Sequence, residues 1–175
     1  MKPWMMVAAL ALVIAGAVAF FMTSGTQSGS TVAVTPVEQE KTMDWPSQQA
    51  AFMAENIKKP GWQATPSGIQ YIVLKAGDGT TPKPAPGSEV TVHYEGRLIN
   101  GEIFDSSYAR NEKISFPLDG VIQGWQEGVP MMRVREVWEF AIPANLGYGN
   151  RGTGGIPGGS VLIFKIELFE AKTPA

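Results

Sequence analysis

The chain has 175 residues, of which 44% are hydrophobic and 17% are charged, which is enough apolar material for one globular domain with additional segments. The formal net charge of −2 gives no basic surface of the kind that nucleic-acid-binding proteins carry, so no nucleic-acid partner is expected. The absence of cysteine excludes disulfides, thiol nucleophiles and cysteine-based zinc sites, and the single histidine cannot form a multi-histidine metal site. Neither a cofactor nor a metal ion is therefore expected.

The N-terminus carries an uncharged, mainly apolar run from Trp4 to Met22, two residues after Lys2. Its length predicts an N-terminal hydrophobic helix, but small residues near its end also fit a signal-peptidase site, so residues 1–22 are either a transmembrane anchor or a cleaved signal peptide. In both cases Lys2 stays cytoplasmic, so the rest of the chain is expected to be extracytoplasmic, in the periplasm, and either anchored in the inner membrane or secreted. Residues 23–43 are rich in Ser, Thr, Gly and Gln, which predicts a flexible linker.

Residues 44–61 have the features of one short amphipathic helix. Asp44 and Pro46 are start signals, Pro60-Gly61 is a stop signal, and the helix is expected over residues 47–59. We expect this helix to pack on its own domain and the protein to be a monomer; a dimerisation or client-binding segment is the alternative. The predicted apolar face consists of four residues: Ala50, Met53, Ala54 and Ile57.

Residues 62–175 predict one folded domain, because segments with apolar residues at every second position recur along it. Asn100-Gly101 predicts a two-residue type I′ hairpin, whose return strand brings Phe104 and Asp105 to a strand end. The spacing of apolar residues in 121–129 predicts a short helix centred on Trp125, which would cover one face of the sheet. The predicted fold class is α+β, with an antiparallel sheet of about five strands wrapped around one short helix.

Residues 147–152 match the dinucleotide-binding pattern G-x-G-x-x-G, but that pattern requires a helix that starts in the loop. Here a run of Gly, Thr and Pro follows up to Gly159, so we expect a long glycine-rich flap instead. No G-x-S-x-G and no paired carboxylates at strand ends are present, which argues against hydrolysis. A catalyst without nucleophile, metal or cofactor must favour a reaction that breaks no covalent bond, such as rotation about a peptide bond.

Four separated motifs, VHYEGRLINGEIFDSS, VIQGWQEGV, IPANLGYGNRG and GGIPGGSVLIFKIELF, occur in this order between residues 67 and 171. In sequence and spacing they resemble the FKBP-type peptidyl-prolyl isomerase family. The resemblance implies the fold predicted above and gives Asp105 a place beside the reacting carbonyl, with Tyr148 as a hydroxyl donor to a substrate carbonyl. The Ile122 backbone N–H would be a second donor and Ile156 an apolar contact on the flap. The implied apolar cup, with Trp125 as its floor, consists of Tyr94, Phe104, Val121, Ile122, Trp125 and Phe164.

Two positions depart from the family pattern: Ile114 replaces an aromatic residue, and Thr153-Gly154 replaces a histidine. We expect a changed preference for the residue before proline and weaker binding of macrolide inhibitors, with isomerisation retained. The leading hypothesis is an isomerase that acts on proline-containing polypeptide clients during the folding of exported proteins. A polypeptide-binding chaperone that uses the same cup, and a membrane-tethered interaction module, are the alternatives.

Overall fold

The computed structural model describes residues 43–172. The predicted hydrophobic helix over residues 1–22, and the predicted linker up to residue 42, lie outside these residues. Within residues 43–172, no helix has the length and apolar character needed to cross a membrane. The start signals at the first described helix are confirmed, because the Asp44 side chain accepts a hydrogen bond from the Ser47 backbone N–H at 2.9 Å.

The described residues form three α-helices and seven strands, joined in several places by single turns of 3₁₀ helix. In chain order the elements are α1 (Trp45–Asn56), β1 (Gln63–Ala64), β2 (Gln70–Lys75), β3 (Glu89–Arg97), β4 (Ile103–Ser106), α2 (Ser107–Arg110), β5 (Ile114–Pro117), α3 (Gln123–Gly128), β6 (Val137–Ile142) and β7 (Leu162–Lys172).

All seven strands belong to one antiparallel sheet with the order β1-β2-β6-β7-β3-β4. Strand β3 pairs along its whole length with β7 on one side. On its other side it pairs first with β5 and then with β4, so two short strands occupy successive parts of the same edge. The predicted α+β architecture is confirmed. The sheet exceeds the expected five strands because of this divided edge and because β1 adds a two-residue strand.

One face of the sheet, the inner face, packs against α3 and forms the main core. Alternate residues of β3 and β7 point to this face, as the period of two predicts; Val90, Val92 and Ile166 are completely buried. Trp125 of α3 is 4% exposed within this core. A Cβ at Gly124 would lie 2.4 Å from Ile142 Cγ2, so glycine there lets the helix approach the sheet closely.

The opposite, outer face of the sheet is covered at one end by α1. The prediction that this helix packs on its own domain is confirmed. Of the four residues predicted for its contact face only Met53 packs there, since Ala50, Ala54 and Ile57 are exposed. The buried positions are Gln49 and Asn56. Phe52 and Met53, both partly buried, pack beside them on the small outer cluster formed by Ala141, Val161 and Ile163.

Hydrogen bonds from polar side chains explain why α1 is rotated away from the predicted face. The Gln49 side-chain carbonyl accepts a bond from the Val161 backbone N–H at 2.8 Å. The Asn56 amide donates to Gln70 Oε1 at 3.0 Å, and the Gln70 amide donates to the Met53 carbonyl at 2.8 Å. A boundary between residues 61 and 62 would therefore separate α1 from the sheet to which it is bonded.

Helix α1 also ends earlier than predicted, at Asn56 instead of residue 59. The Lys58 and Lys59 N–H groups donate to carbonyls three residues back, at 3.2 and 3.1 Å, so the chain tightens into turns before Pro60. The short helical extension that the sequence suggested is thus replaced by turns.

The hairpin between β3 and β4 differs from the predicted type I′ turn. Gly101 has φ +87°, whereas Asn100 is not among the residues of 43–172 with positive φ. The Gly101 N–H donates to the Leu98 carbonyl at 3.0 Å, and the Leu98 N–H donates to the Glu102 carbonyl at 2.8 Å. This is a three-residue loop with a left-handed glycine at its end, and the pairing register shifts beside it.

Candidate functional site

A cavity of about 320 Å³ opens between α3 and the inner face of the sheet. Aromatic and aliphatic side chains form most of its wall. The acidic and hydroxyl groups along it are the Asp105 carboxylate, the Tyr148 hydroxyl and the Tyr94 hydroxyl. The lining residues are Tyr94, Phe104, Asp105, Phe116, Gly120, Val121, Ile122, Trp125, Tyr148 and Phe164.

Trp125 lies at the centre of the aromatic side chains that line this cavity. Its ring is nearly perpendicular to those of Tyr94 and Phe164, with centroids 5.3 Å away in each case, and to that of Phe116 at 5.8 Å. Edge-to-face pairs of this kind hold each ring in one orientation. The cavity floor is therefore apolar and rigid.

Gly96 of β3 makes room for two of the wall residues. A Cβ at this position would lie 2.5 Å from Phe104 Cε2 and 2.8 Å from Phe164 Cε1. Those two rings meet edge to face with their centroids 5.5 Å apart. Any side chain at residue 96 would displace them, so this glycine determines the shape of one cavity wall.

Asp105 lies near the end of β4, one residue before the chain leaves the sheet at Ser106 and enters the short helix α2. Ser106 caps α2 by accepting a hydrogen bond from the Ala109 N–H at 3.2 Å. The Ser107 hydroxyl oxygen accepts a bond from the Tyr94 N–H at 2.8 Å, in the gap that the departing strand leaves beside β3. His93 bonds to the same hydroxyl at 2.8 Å and stacks on Tyr108, as expected for a structural histidine.

Asp105 is held by two donors. Its carboxylate accepts a short hydrogen bond from the Tyr94 hydroxyl and a 2.5 Å ionic hydrogen bond from Arg110, which also donates to the Tyr94 oxygen at 3.2 Å. Desolvation by itself raises the pKa of Asp105, but the hydrogen bonds from Arg110 and Tyr94 outweigh it, and the pKa lies below the ordinary value of 3.8. Asp105 is therefore ionised at neutral pH and fixed in position.

The second polar group, the Tyr148 hydroxyl, belongs to a residue that is 39% exposed at the mouth of the cavity. Partial burial, followed by the negative charge of Asp105, raises the pKa of Tyr148, so the phenol keeps its proton at neutral pH and can donate it in a hydrogen bond. Ile122 precedes α3 as its N-cap residue and is one of the residues that line the cavity. A protonated phenol and a main-chain N–H can both bind carbonyl oxygens.

The flap over residues 147–159 contains turns and an isolated bridge between Thr153 and Ile156, but no α-helix. The rejection of the dinucleotide-binding pattern is thereby confirmed. Ile156 is 8% exposed and packs with the main core cluster instead of lining the cavity. Its predicted contact with a ligand stays a prediction. Within residues 43–172, no group of three His, Cys, Asp or Glu side chains is arranged to hold a metal ion.

The structure brings eight of the nine residues predicted for the site to one cavity and adds others that the sequence analysis missed. Phe116, an alternating residue of β5, contributes an aromatic ring to the wall, while Ile114 does not line it. Arg110 was missed because its link to Asp105 requires the turn of α2, which no periodic pattern indicates. The sequence did offer a signal for this ion pair, because Arg110 lies only five residues after Asp105, for which no partner had been predicted.

Two family models match successive parts of the chain. One, described as FKBP-type peptidyl-prolyl cis-trans isomerase, matches residues 80–169, which is just over half of the chain. The other, described as the domain amino terminal to FKBP-type peptidyl-prolyl isomerase, matches residues 13–73, which include α1.

Similar proteins support the same assignment. The chain is 47% identical over 123 residues to the peptidyl-prolyl cis-trans isomerase Mip of Coxiella burnetii, covering 70% of this chain and 53% of the relative. It is 43% identical over 135 residues to the FKBP-type 22 kDa peptidyl-prolyl cis-trans isomerase of Escherichia coli, covering 77% and 65% respectively. The crystal structure of FkpA from Escherichia coli superposes with a TM-score of 0.69 and 37% identity, covering 73% of this chain and 59% of that one.

The chain thus spans between about half and two thirds of the length of these two curated relatives. Across the matched part, the level of identity, the superposed fold and the two consecutive family matches agree with one another. The chain belongs to the FKBP-type peptidyl-prolyl cis-trans isomerase family.

Proposed function

We propose that this protein catalyses cis-trans isomerisation of X-Pro peptide bonds in polypeptide clients. The observation that carries the proposal is an apolar cavity with a rigid aromatic floor, whose few polar groups suit carbonyl binding. Family membership supports the same activity. X-Pro bonds are the natural target, because they populate both isomers and exchange over tens to hundreds of seconds without a catalyst.

The proposed mechanism follows from the electronic structure of the amide. Resonance keeps the C–N bond planar and creates a rotation barrier of about 18–20 kcal/mol. The twisted amide has lost this resonance and is less dipolar, so a site that excludes water stabilises it relative to the planar form. The apolar wall of the cavity, with Trp125 beneath the proline ring, would supply that environment.

The polar groups would hold the substrate while the bond rotates. In this proposal Tyr148 donates to one substrate carbonyl and the Ile122 backbone N–H to another, which fixes the chain on both sides of the rotating bond. Asp105 lies beside the carbonyl of the residue before proline. Its carboxylate, fixed by Arg110 and Tyr94, would interact with the changing dipole of the twisting amide.

Three further proposals concern the surroundings of the site. Residues 1–22 would place the domain outside the cytoplasm, by anchor or by cleaved signal, so its clients would be exported proteins. Macrolide inhibitors would compete for the same cavity, and Thr153-Gly154 on the flap would weaken their binding. The protein would act as a monomer, since the buried side of α1 faces its own sheet.

The test is cis-trans exchange measured on X-Pro peptides with the full chain in mild detergent. Loss of one hydrogen bond in Tyr148→Phe should slow catalysis roughly three- to tenfold, and Asp105→Ala should slow it further because Arg110 and Tyr94 lose their shared partner. Lys75→Ala removes an exposed charge that does not line the cavity and should retain full activity. If folded wild type leaves the exchange rate unchanged but suppresses aggregation of an unfolded client, the isomerase proposal is wrong. That result would support the alternative, a polypeptide-binding chaperone.

A further inference from the structure

A second groove, of about 490 Å³, adjoins the cavity at Tyr148, which lines both. Its wall differs from that of the cavity, because three exposed amide side chains and one guanidinium line it. The lining residues are Val121, Ile122, Gln123, Asn145, Gly147, Tyr148, Gly149, Asn150 and Arg151. Of the residues that line this groove, the catalytic proposal above gives a role only to Ile122 and Tyr148.

The two spaces share Val121, Ile122 and Tyr148, so a chain bound in the cavity would pass along these residues to reach the groove. Asp105 and Phe104 line the cavity but not the groove. If the carbonyl before the proline lies beside Asp105, as proposed, the chain that leaves towards the groove is the segment after the proline. An extended chain advances about 3.3–3.6 Å per residue, so the first few residues after the proline would occupy this groove.

The groove also differs from the cavity in charge. In the cavity the negative charge of Asp105 is compensated by Arg110 at 2.5 Å. Arg151 takes part in none of the four ion pairs found within residues 43–172, and no Asp or Glu in that part of the chain lines the groove. The guanidinium fork is suited to carboxylates, and the neighbouring amides can bond to a peptide main chain.

We propose that this groove is a binding subsite for the client segment that follows the proline, and that Arg151 makes it selective for an acidic side chain there. The inference rests on the proposed isomerase function and extends it to a substrate class: X-Pro bonds followed within about one to three residues by Asp or Glu. Binding energy from this segment would act mainly on KM, since the ion pair forms equally in the ground state and the transition state.

The experiment uses short peptides with an Ala-Pro bond and Glu, Gln or Lys at the second position after the proline, or at the second position before it. Wild-type full chain should show a kcat/KM about two- to fivefold higher for Glu than for Lys after the proline, as expected for one exposed ion pair. The preference should act through KM and should fade at about 1 M salt, where the screening length is about 3 Å. Placing the charge before the proline should produce a smaller ratio.

Charge variants supply the decisive comparison. Arg151→Gln should abolish the Glu-over-Lys ratio and Arg151→Glu should invert it, while Lys75→Gln, which removes an exposed positive charge outside both spaces, should retain it. Side-chain amide signals of Gln123, Asn145 and Asn150 in NMR spectra should shift more with the Glu peptide than with the Lys peptide.

Different results would contradict the proposed subsite and the proposed isomerase function. Catalysed exchange with the same Glu-to-Lys ratio in wild type and Arg151→Gln would overturn the subsite and leave the isomerase intact. Charge-selective shifts of the groove amides without any catalysed exchange would retain the subsite as a binding site and overturn the isomerase.

Discussion

The two faces of the sheet are stabilised in different ways. The inner face is a continuous apolar core in which α3, five buried aromatic side chains and alternate residues of β3 and β7 pack together, and it carries the cavity. The outer face has a cluster of three buried residues beneath α1, and polar contacts through Gln49 and Asn56 supplement it. The comparison teaches that apolar packing shapes the site, while directional hydrogen bonds position the helix that supports the sheet from behind.

The largest expected effect is loss of packing on the inner face. Phe140 is 1% exposed, so Phe140→Ala should lower the free energy of unfolding by about 3–5 kcal/mol. Phe52→Ala, which truncates a partly buried ring on the outer face, is the matched variant and should cost less than half as much. Urea denaturation of both variants measures the two values. Equal losses would show that the outer face is packed as tightly as the inner one.

Loss of the hydrogen bond that joins Gln49 of α1 to the Val161 N–H should give the next largest effect. Gln49→Ala removes the acceptor of the buried Val161 N–H, which should cost about 1–3 kcal/mol of unfolding free energy. It should also speed amide exchange at Val161. The control is Gln48→Ala, one position earlier, where the side chain bonds near the exposed helix start and the expected change is below about 0.5 kcal/mol. Similar losses in both variants would contradict the anchoring role of Gln49.

A smaller effect should appear in acid, at the rim of the cavity. Because the pKa of Asp105 is lower in the folded protein than the ordinary 3.8, the unfolded chain takes up a proton there first as pH falls. The stabilisation from Asp105 is thus present at neutral pH and is lost below about pH 4. The unfolding free energies of wild type and Asp105→Asn should therefore converge between about pH 5 and pH 2. A constant difference across this range would mean that the carboxylate is not stabilised by Arg110 and Tyr94.

The smallest effect is expected at Ile57, which the sequence assigned to the apolar face of α1 and the structure leaves 36% exposed. Ile57→Ser should change the unfolding free energy by less than about 0.5 kcal/mol. Met53→Ser, on the side that packs against the sheet, should cost clearly more. A large loss of unfolding free energy in Ile57→Ser would show that Ile57 contacts the sheet, as the sequence predicted.

Prediction from sequence succeeded where burial imposes a strict period. Val90, Val92 and Tyr94 alternate because a one-residue shift would expose all of them, so their face could be read from the sequence. The contact face of α1 could not be read in that way, since Gln49 and Asn56 are buried through hydrogen bonds that have no hydrophobic signature. The link between Arg110 and Asp105 likewise depends on α2, a helix of one turn that periodicity cannot indicate.

The predicted type of the turn after β3 was wrong for a related reason. Asn100-Gly101 is compatible with both a type I′ turn and a three-residue loop, and the choice depends on the φ of Asn100. Pairing register beyond the turn, not the dipeptide, decides that angle. Local sequence therefore located the hairpin but did not determine its geometry.

If the proposed isomerase function is right, the inner-face cavity binds the X-Pro segment and the outer face does not. NMR exchange spectroscopy on an Ala-Pro peptide, combined with the indole N–H signals of the full chain, tests both parts in one sample. We expect accelerated cis-trans exchange, with a shift of the Trp125 signal at the cavity floor and none at Trp62, which packs on the outer cluster. Unchanged exchange from a folded protein, or a peptide-induced shift at Trp62 without one at Trp125, would contradict it.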